Sequence, residues 1–190
     1  MDVDEFWQTI AAAQGDARSG RPFHGALVDR LAVRSREEIV RYALRFEQLH
    51  DDLERWDVWA AAYLIGGGCS DDGFTDFRAG VIGLGREWYE RVVAHPDDLA
   101  EHPDVKADAV GSADVDLFYE EINYVADRAF ARTAGDDEDF YSALESHQIS
   151  QDEGETGSVD MGEDFDFDDD EEMRQRLPRL AALYLRNDSK

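Results

Sequence analysis

The stretch VDLFYEEINYVADRA, residues 115–129, places Val115, Phe118, Ile122, Val125 and Ala129 at successive spacings of 3, 4, 3 and 4. That rhythm keeps the apolar side chains on one stripe of a 3.6-residue helix, with acids and Arg128 on the other faces. The spacing predicts a helix over residues 115–130, and the same rhythm recurs on both sides of it. Phe74, Phe77, Val81 and Leu84 step by 3, 4 and 3. Ser35 followed by Glu38 is a capping box, which opens a helix running to about Leu53.

Shorter helices are predicted over residues 4–14 and 23–33, parted by Gly20, Arg21 and Pro22. Another covers residues 56–65 and stops at Gly66, Gly67 and Gly68, and a turn at Gly85 leads into one over 86–93. Pro96 and Pro103 bracket a short helix or turn, and Pro178 kinks or restarts a helix over 171–186. No period-two strand pattern stands out. The expected fold is therefore all-α: a single compact, bundle-like helical domain over residues 1–149, an acidic, mobile linker over 150–170, and a C-terminal helix over 171–186 that packs back on the domain.

The chain has 190 residues, 45 acidic against 19 basic, for a formal net charge of −26. This argues against a protein that coats nucleic acid or an anionic membrane through a general field. Residues 133–173 hold 17 of the acids and no Lys or Arg, so the acid surplus is concentrated near the end. Aromatic residues make up 11%, enough for a real core. The lone Cys69 has no disulfide partner, no membrane-length apolar run is present, and the first thirty residues lack a secretory-signal pattern, so a cytoplasmic setting is expected.

The least ordinary segment is Gly66-Gly67-Gly68-Cys69-Ser70-Asp71-Asp72-Gly73-Phe74. Its plain reading is a helix stop followed by a helix start, with Ser70 as N-cap and Asp71 and Asp72 in the first turn. Its functional reading is a shallow site in which Asp71, Asp72 and Asp76 hold a cation or a partner's basic group. Arg78, seven residues beyond Asp71, is placed to neutralise it. The loop lacks the Lys-Ser or Lys-Thr ending of a phosphate loop and follows no strand. Cys69 is expected to pack rather than react, and no histidine is singled out as its base. Trp56, Trp59 and Tyr63 recur at helical spacing, as core aromatics do. In the run from Asp164 to Glu172, seven of nine residues are acidic and flank Phe165 and Phe167. It fails the calcium-loop pattern but suits either a solvated linker or an acidic-aromatic segment that docks on a basic partner.

Phe6-Trp7, the run from Trp56 to Ile65, Gly67-Gly68-Cys69-Ser70-Asp71-Asp72-Gly73-Phe74, Phe77-Arg78, Gly85-Arg86-Glu87 and Pro178-Arg179-Leu180 together resemble the bacterial family known as domain of unknown function 4240. The resemblance implies a helical domain and no established reaction. The chain departs from the family pattern at Gly80, where the family often carries tryptophan. Gly80 and Gly83 each weaken their helix by about 1 kcal/mol against alanine.

These observations lead to an expected cytoplasmic helical binding or regulatory module that engages a protein partner with a basic surface, without membrane or direct nucleic-acid binding and without a cofactor. The candidate binding residues are Tyr63, Cys69, Ser70, Asp71, Asp72, Arg78 and Arg86, and the candidate docking residues are Phe165 and Phe167. The alternatives are a carboxylate-centred, metal-assisted enzyme at the glycine-rich loop, with no metal ligand assigned, and an acidic nucleic-acid mimic or immunity-type inhibitor.

Overall fold

A computed structural model describes residues 1–18, 20–112, 117–133, 139–151 and 160–185. The fold is all-α, with no strand among the described residues. In chain order the α-helices are α1 (Val3–Ala17), α2 (Phe23–Leu31), α3 (Arg36–Asp51), α4 (Trp56–Gly66), α5 (Asp71–Gly83), α6 (Arg86–Ala94), α7 (Pro103–Ala109), α8 (Val125–Arg132), α9 (Phe140–Gln151), α10 (Asp170–Arg176) and α11 (Pro178–Tyr184). Two 3₁₀ helices, Pro96–Glu101 and Glu120–Tyr124, precede α7 and α8. Among the described residues, no helix is long and apolar enough to cross a membrane. The chain resolves into two compact units, one of Met1–Leu49 with Glu121–Ser158 and one of His50–Glu120 with Val159–Lys190.

In the first unit, two capping boxes set the starts of α1 and α3. The Glu5 amide donates to Asp2 Oδ1 at 2.8 Å while the Asp2 amide donates to Glu5 Oε2 at 3.1 Å. Ser35 and Glu38 make the reciprocal pair expected from sequence. Helix α2 packs on α1 and α8, and Phe6, Ile10, Leu27, Leu31, Ile39 and Tyr42 are fully buried.

In the second unit the 3₁₀ helix Pro96–Glu101 supplies a buried carboxylate. Asp97, 8% exposed, accepts the Leu180 amide at 2.9 Å and the Arg179 amide at 3.1 Å. Those are two of the amides that α11 leaves open at its start, so Asp97 caps that helix from another part of the chain. Arg179 returns its Nε to Asp97 at 3.1 Å and its Nη1 to Glu101 at 2.8 Å, and also pairs with Asp98. Arg91 reaches the same Asp98 and Glu101. These arginines hold the Asp98 and Glu101 carboxyls below their usual range. Pro178 sits at the first turn of α11, where its missing N–H costs nothing.

The helix predicted over residues 115–130 is not continuous. Residues 117–119 are non-helical, a 3₁₀ helix follows, and α8 begins only at Val125; residues 115 and 116 lie outside the described residues. Tertiary contact breaks the register. The Tyr119 amide donates to the Asp76 carbonyl at 3.1 Å, and Leu117 lies so close to Gly80 that an added Cβ would stand 1.9 Å from the Leu117 carbonyl oxygen. The apolar stripe is shared out. Phe118 packs on Phe77 at 5.4 Å in the second unit, whereas Ile122, Val125 and Ala129 are buried in the first. Gly80 is thus the residue that admits the Leu117 backbone. Gly80→Ala gains about 1 kcal/mol of helix propensity but forces backbone apart in a packed core. Overpacking costs about 1–3 kcal/mol, so chemical denaturation is expected to show a net loss of up to about 2 kcal/mol.

Candidate functional site

The site is built on α4, the glycine-rich loop and α5. Helix α4 ends because Gly67 turns left-handed at φ +64°, which lets the Gly68 amide donate to the Tyr63 carbonyl at 2.9 Å. The chain then doubles back, and the Trp59 indole N–H donates to the Cys69 carbonyl at 3.2 Å. Ser70 accepts the Gly73 amide at 3.2 Å as the N-cap of α5. Asp71 and Asp72 follow in the first turn, both exposed.

Arg78 does not turn toward Asp71 as the sequence spacing suggested. It is buried, pairs with Glu54 Oε2 at 3.2 Å, donates to the His50 carbonyl at 3.3 Å and lies over the Phe74 ring at 4.8 Å. The reason is geometric: seven residues is nearly two turns, but Asp71 sits at the solvent end of α5 and Arg78 at a position packed against the segment following α3. His50 Nε2 lies 3.0 Å from the Thr75 carbonyl, so this nitrogen carries the proton and donates. Burial, reinforced by the adjacent Arg78 charge, pushes the His50 imidazole down to about 4.

The remaining candidates separate. Arg86 lies at the start of α6, exposed and paired with Glu90 at 2.6 Å. Cys69 is half-buried, and burial, aided by the charges of Asp71 and Asp76, pushes its thiol up to about 11 despite the Trp59 indole. It is therefore a protonated thiol at neutral pH. Among the described residues, no three His, Cys, Asp or Glu side chains are grouped to hold a metal ion.

Residues 160–170, expected within a solvated mobile linker, are packed on α4; residues 152–159 lie outside the described residues. The Trp56 amide donates to the Met161 carbonyl at 3.0 Å. Phe167 sits against Trp56, Trp59 and Tyr63, with ring centroids 6.1, 6.4 and 5.5 Å away. Phe165 packs on Phe167 at 5.1 Å and beneath the Arg176 guanidinium at 4.2 Å. Arg176 also pairs with Glu163 and Glu172. Below this strap, Trp59 stacks between Trp56 at 5.5 Å and Phe74 at 4.7 Å. The Tyr63 hydroxyl donates to Asp168 Oδ1 at 2.5 Å, and that bond raises the phenol above its ordinary range. Phe165 and Phe167 are thus seated on their own chain, while Asp164, Asp166 and Asp168 are exposed.

Sequence reasoning missed Asp168, Arg176 and the Glu54 partner of Arg78. The alternation Asp164-Phe165-Asp166-Phe167-Asp168 is a period-two signal, and an extended chain with that pattern puts rings on one side and acids on the other. It was legible over too few residues to stand out as an ordered element.

A family model described as "Protein of unknown function (DUF4240)" matches residues 1–132. That span contains the motifs through Gly85-Arg86-Glu87 and stops before Pro178-Arg179-Leu180, to which the resemblance had been extended. No curated protein matches the chain. No solved structure matches it either.

The His50 shift gives a signed expectation. A folded-state pKa below the unfolded value of 6.5 makes the His50 contribution complete above pH 6.5 and progressively lost as pH falls toward 4, because the unfolded chain then binds the extra proton. The loss amounts to at most about 3 kcal/mol. Denaturation of wild type and His50→Gln across this window is expected to show the shallower pH dependence in the variant, which keeps the N–H donor to Thr75 without a titrating ring.

Proposed function

We propose that this chain, which belongs to the DUF4240 family of proteins of unknown function, is a non-catalytic helical binding module that presents an ordered acidic ridge to a basic surface on a protein partner. One observation carries the reading. Phe167 is turned onto the aromatic ledge of Trp56, Trp59 and Tyr63, and Phe165 lies between Phe167 and the Arg176 guanidinium, so the exposed carboxylates of Asp164, Asp166 and Asp168, the last also accepting the Tyr63 hydroxyl, stand on an anchored segment. Asp166 leads into a turn at residues 167–168, where its side chain accepts the Asp168 amide at 2.9 Å, so the carboxylates are held at fixed positions for arginine and lysine side chains of a partner to meet. Holding the segment in advance removes much of the ordering cost that a free acidic tail would meet on binding.

The surplus of acids supports the same reading, since a strongly negative surface steers a basic partner to encounter. The partner contacts fall on the carboxylates rather than on Phe165 and Phe167, whose rings serve as internal anchors. The protonated Cys69 thiol and the outward, separate placement of Asp71, Asp72 and Arg86 favour binding over catalysis at the glycine-rich loop. The single cysteine suits a reducing, cytoplasmic location.

The experiment is a pull-down from the native host with wild type and with an Asp164→Asn/Asp166→Asn variant. The amide at position 166 keeps the side-chain oxygen that accepts the Asp168 amide, so the strap stays in place. A specifically retained basic protein is expected, with retention falling at least about tenfold in the variant and again between 0.1 M and 1 M salt, as the Debye length shrinks from about 10 Å to about 3 Å. Retention that ignores both changes overturns the reading. A second variant, Phe165→Ala/Phe167→Ala, leaves the charge intact and is expected to weaken capture through loss of the anchored ridge. Tryptophan fluorescence should report the change at Trp56 and Trp59.

A further inference from the structure

Helix α4 is apolar almost all round: Val58, Ala60, Ala61, Ala62, Leu64 and Ile65 are buried, and Trp56, Trp59 and Tyr63 add a further stripe at spacings of 3 and 4. Such a helix has to be covered on every side. The cover over the aromatic stripe is residues 160–169, which form no helix and leave all three rings only half-buried. With the strap lifted, three large rings stand together at the surface, the kind of apolar patch that marks an interaction site.

The strap sits on the ledge in a fixed register, and its contacts are those that an extended peptide makes on a receptor. The Trp56 amide, in a first turn of α4 that has no side-chain cap, donates to the Met161 carbonyl at 3.0 Å. The Phe167 ring lies against all three ledge rings, and the Tyr63 hydroxyl donates to the carboxylate of the next residue, Asp168. The strap's own composition opposes this hold, since its closely spaced acids repel one another. A counter-charge comes from Arg176, which lies over Phe165 and pairs with Glu163.

We infer that the ledge of Trp56, Trp59 and Tyr63 is itself a docking site for an acidic peptide segment of a partner, one with an aromatic residue followed directly by a carboxylate, and that the strap is the cover such a peptide displaces. The recognition pattern is read from the strap: Phe167 shows what the indoles take, Asp168 what the Tyr63 hydroxyl takes, and Met161 that one backbone carbonyl is held as well. The site is the ledge beneath the strap and not the carboxylates above it. Its test needs no basic partner, so failure of either reading leaves the other standing.

The probe is the acetylated peptide of residues 160–170, added to the full chain carrying Phe165→Ala/Phe167→Ala, whose ledge is open. Tryptophan fluorescence is expected to report saturable binding. Wild type should bind the peptide at least about tenfold more weakly, the factor set by a strap that is closed about nine-tenths of the time. Replacing Phe167 by alanine in the peptide should cost about tenfold or more. Tyr63→Phe in the open chain should cost about tenfold with the parent peptide and nothing with an Asp168→Ala peptide, because the hydroxyl then has no carboxylate to meet. Arg176→Gln loosens the strap without changing the ledge; it is expected to bind about threefold more tightly than wild type and serves as the open chain should the double variant not fold. No saturable binding to a folded open chain overturns the inference. So do equal affinities for wild type and the open chains, which place the peptide elsewhere, an affinity indifferent to Phe167 of the peptide, or a Tyr63→Phe loss that persists with the Asp168→Ala peptide. Wild-type dimers that form with rising concentration and are lost in Phe165→Ala/Phe167→Ala assign the ledge to the strap of a second copy and overturn the choice of a separate partner.

Discussion

Much of the second unit hangs on one buried carboxylate. Asp97 accepts two amides at the start of α11, and Arg179 at that same helix start closes onto Asp97, Asp98 and Glu101. A carboxylate buried at this depth is tolerable only because each partner is a hydrogen-bond donor and one carries the compensating charge. The consequence travels along the chain. Fixing α11 fixes α10 through the short break at Leu177, and α10 carries Arg176, which holds Glu163 and covers Phe165. The strap over the aromatic ledge therefore has two anchors: stacking beneath it and an ion-paired helix behind it.

The aromatic ledge shows how a very acidic chain keeps an ordered acidic surface. Like charges spaced along one segment repel, and a free segment of this composition would not repay its ordering entropy. Phe167 changes that balance by burying apolar area against Trp56, Trp59 and Tyr63, and Phe165 packs on Phe167 beneath Arg176. The Tyr63 hydroxyl adds a direct bond to Asp168. Basic groups are placed where they matter most. Arg78 is spent inside on Glu54 and the Phe74 face, and Arg176 on the strap, rather than on the exposed pair Asp71 and Asp72. Asp71 and Asp72 thereby face solvent.

Helix type, the caps at Ser35 and Ser70, and the stop at Gly67 were legible in the sequence because each depends on neighbours within four residues. Apolar stripes at 3.6-residue spacing, a serine before an acidic first turn, and a glycine able to turn left-handed are local causes with local effects. The same locality explains why Asp71 and Asp72 could be placed in the first turn of α5.

Partners distant in the chain were decided only by the tertiary structure. Residues 115–129 have a helical apolar rhythm, yet Leu117 abandons it because Gly80 offers room for a backbone and Asp76 offers a carbonyl to Tyr119. Arg78 meets Glu54 instead of Asp71, and Phe165 and Phe167 meet α4 and Arg176 rather than solvent. The sequence by itself determined an all-helical chain with a glycine-rich turn and a concentrated acidic segment. The tertiary structure decided which charges are buried, which rings are covered and which carboxylates face outward. Those choices depend on desolvation and close approach between groups as far apart as Tyr63 and Asp168, 105 residues along the chain, and no periodicity in a single segment encodes them.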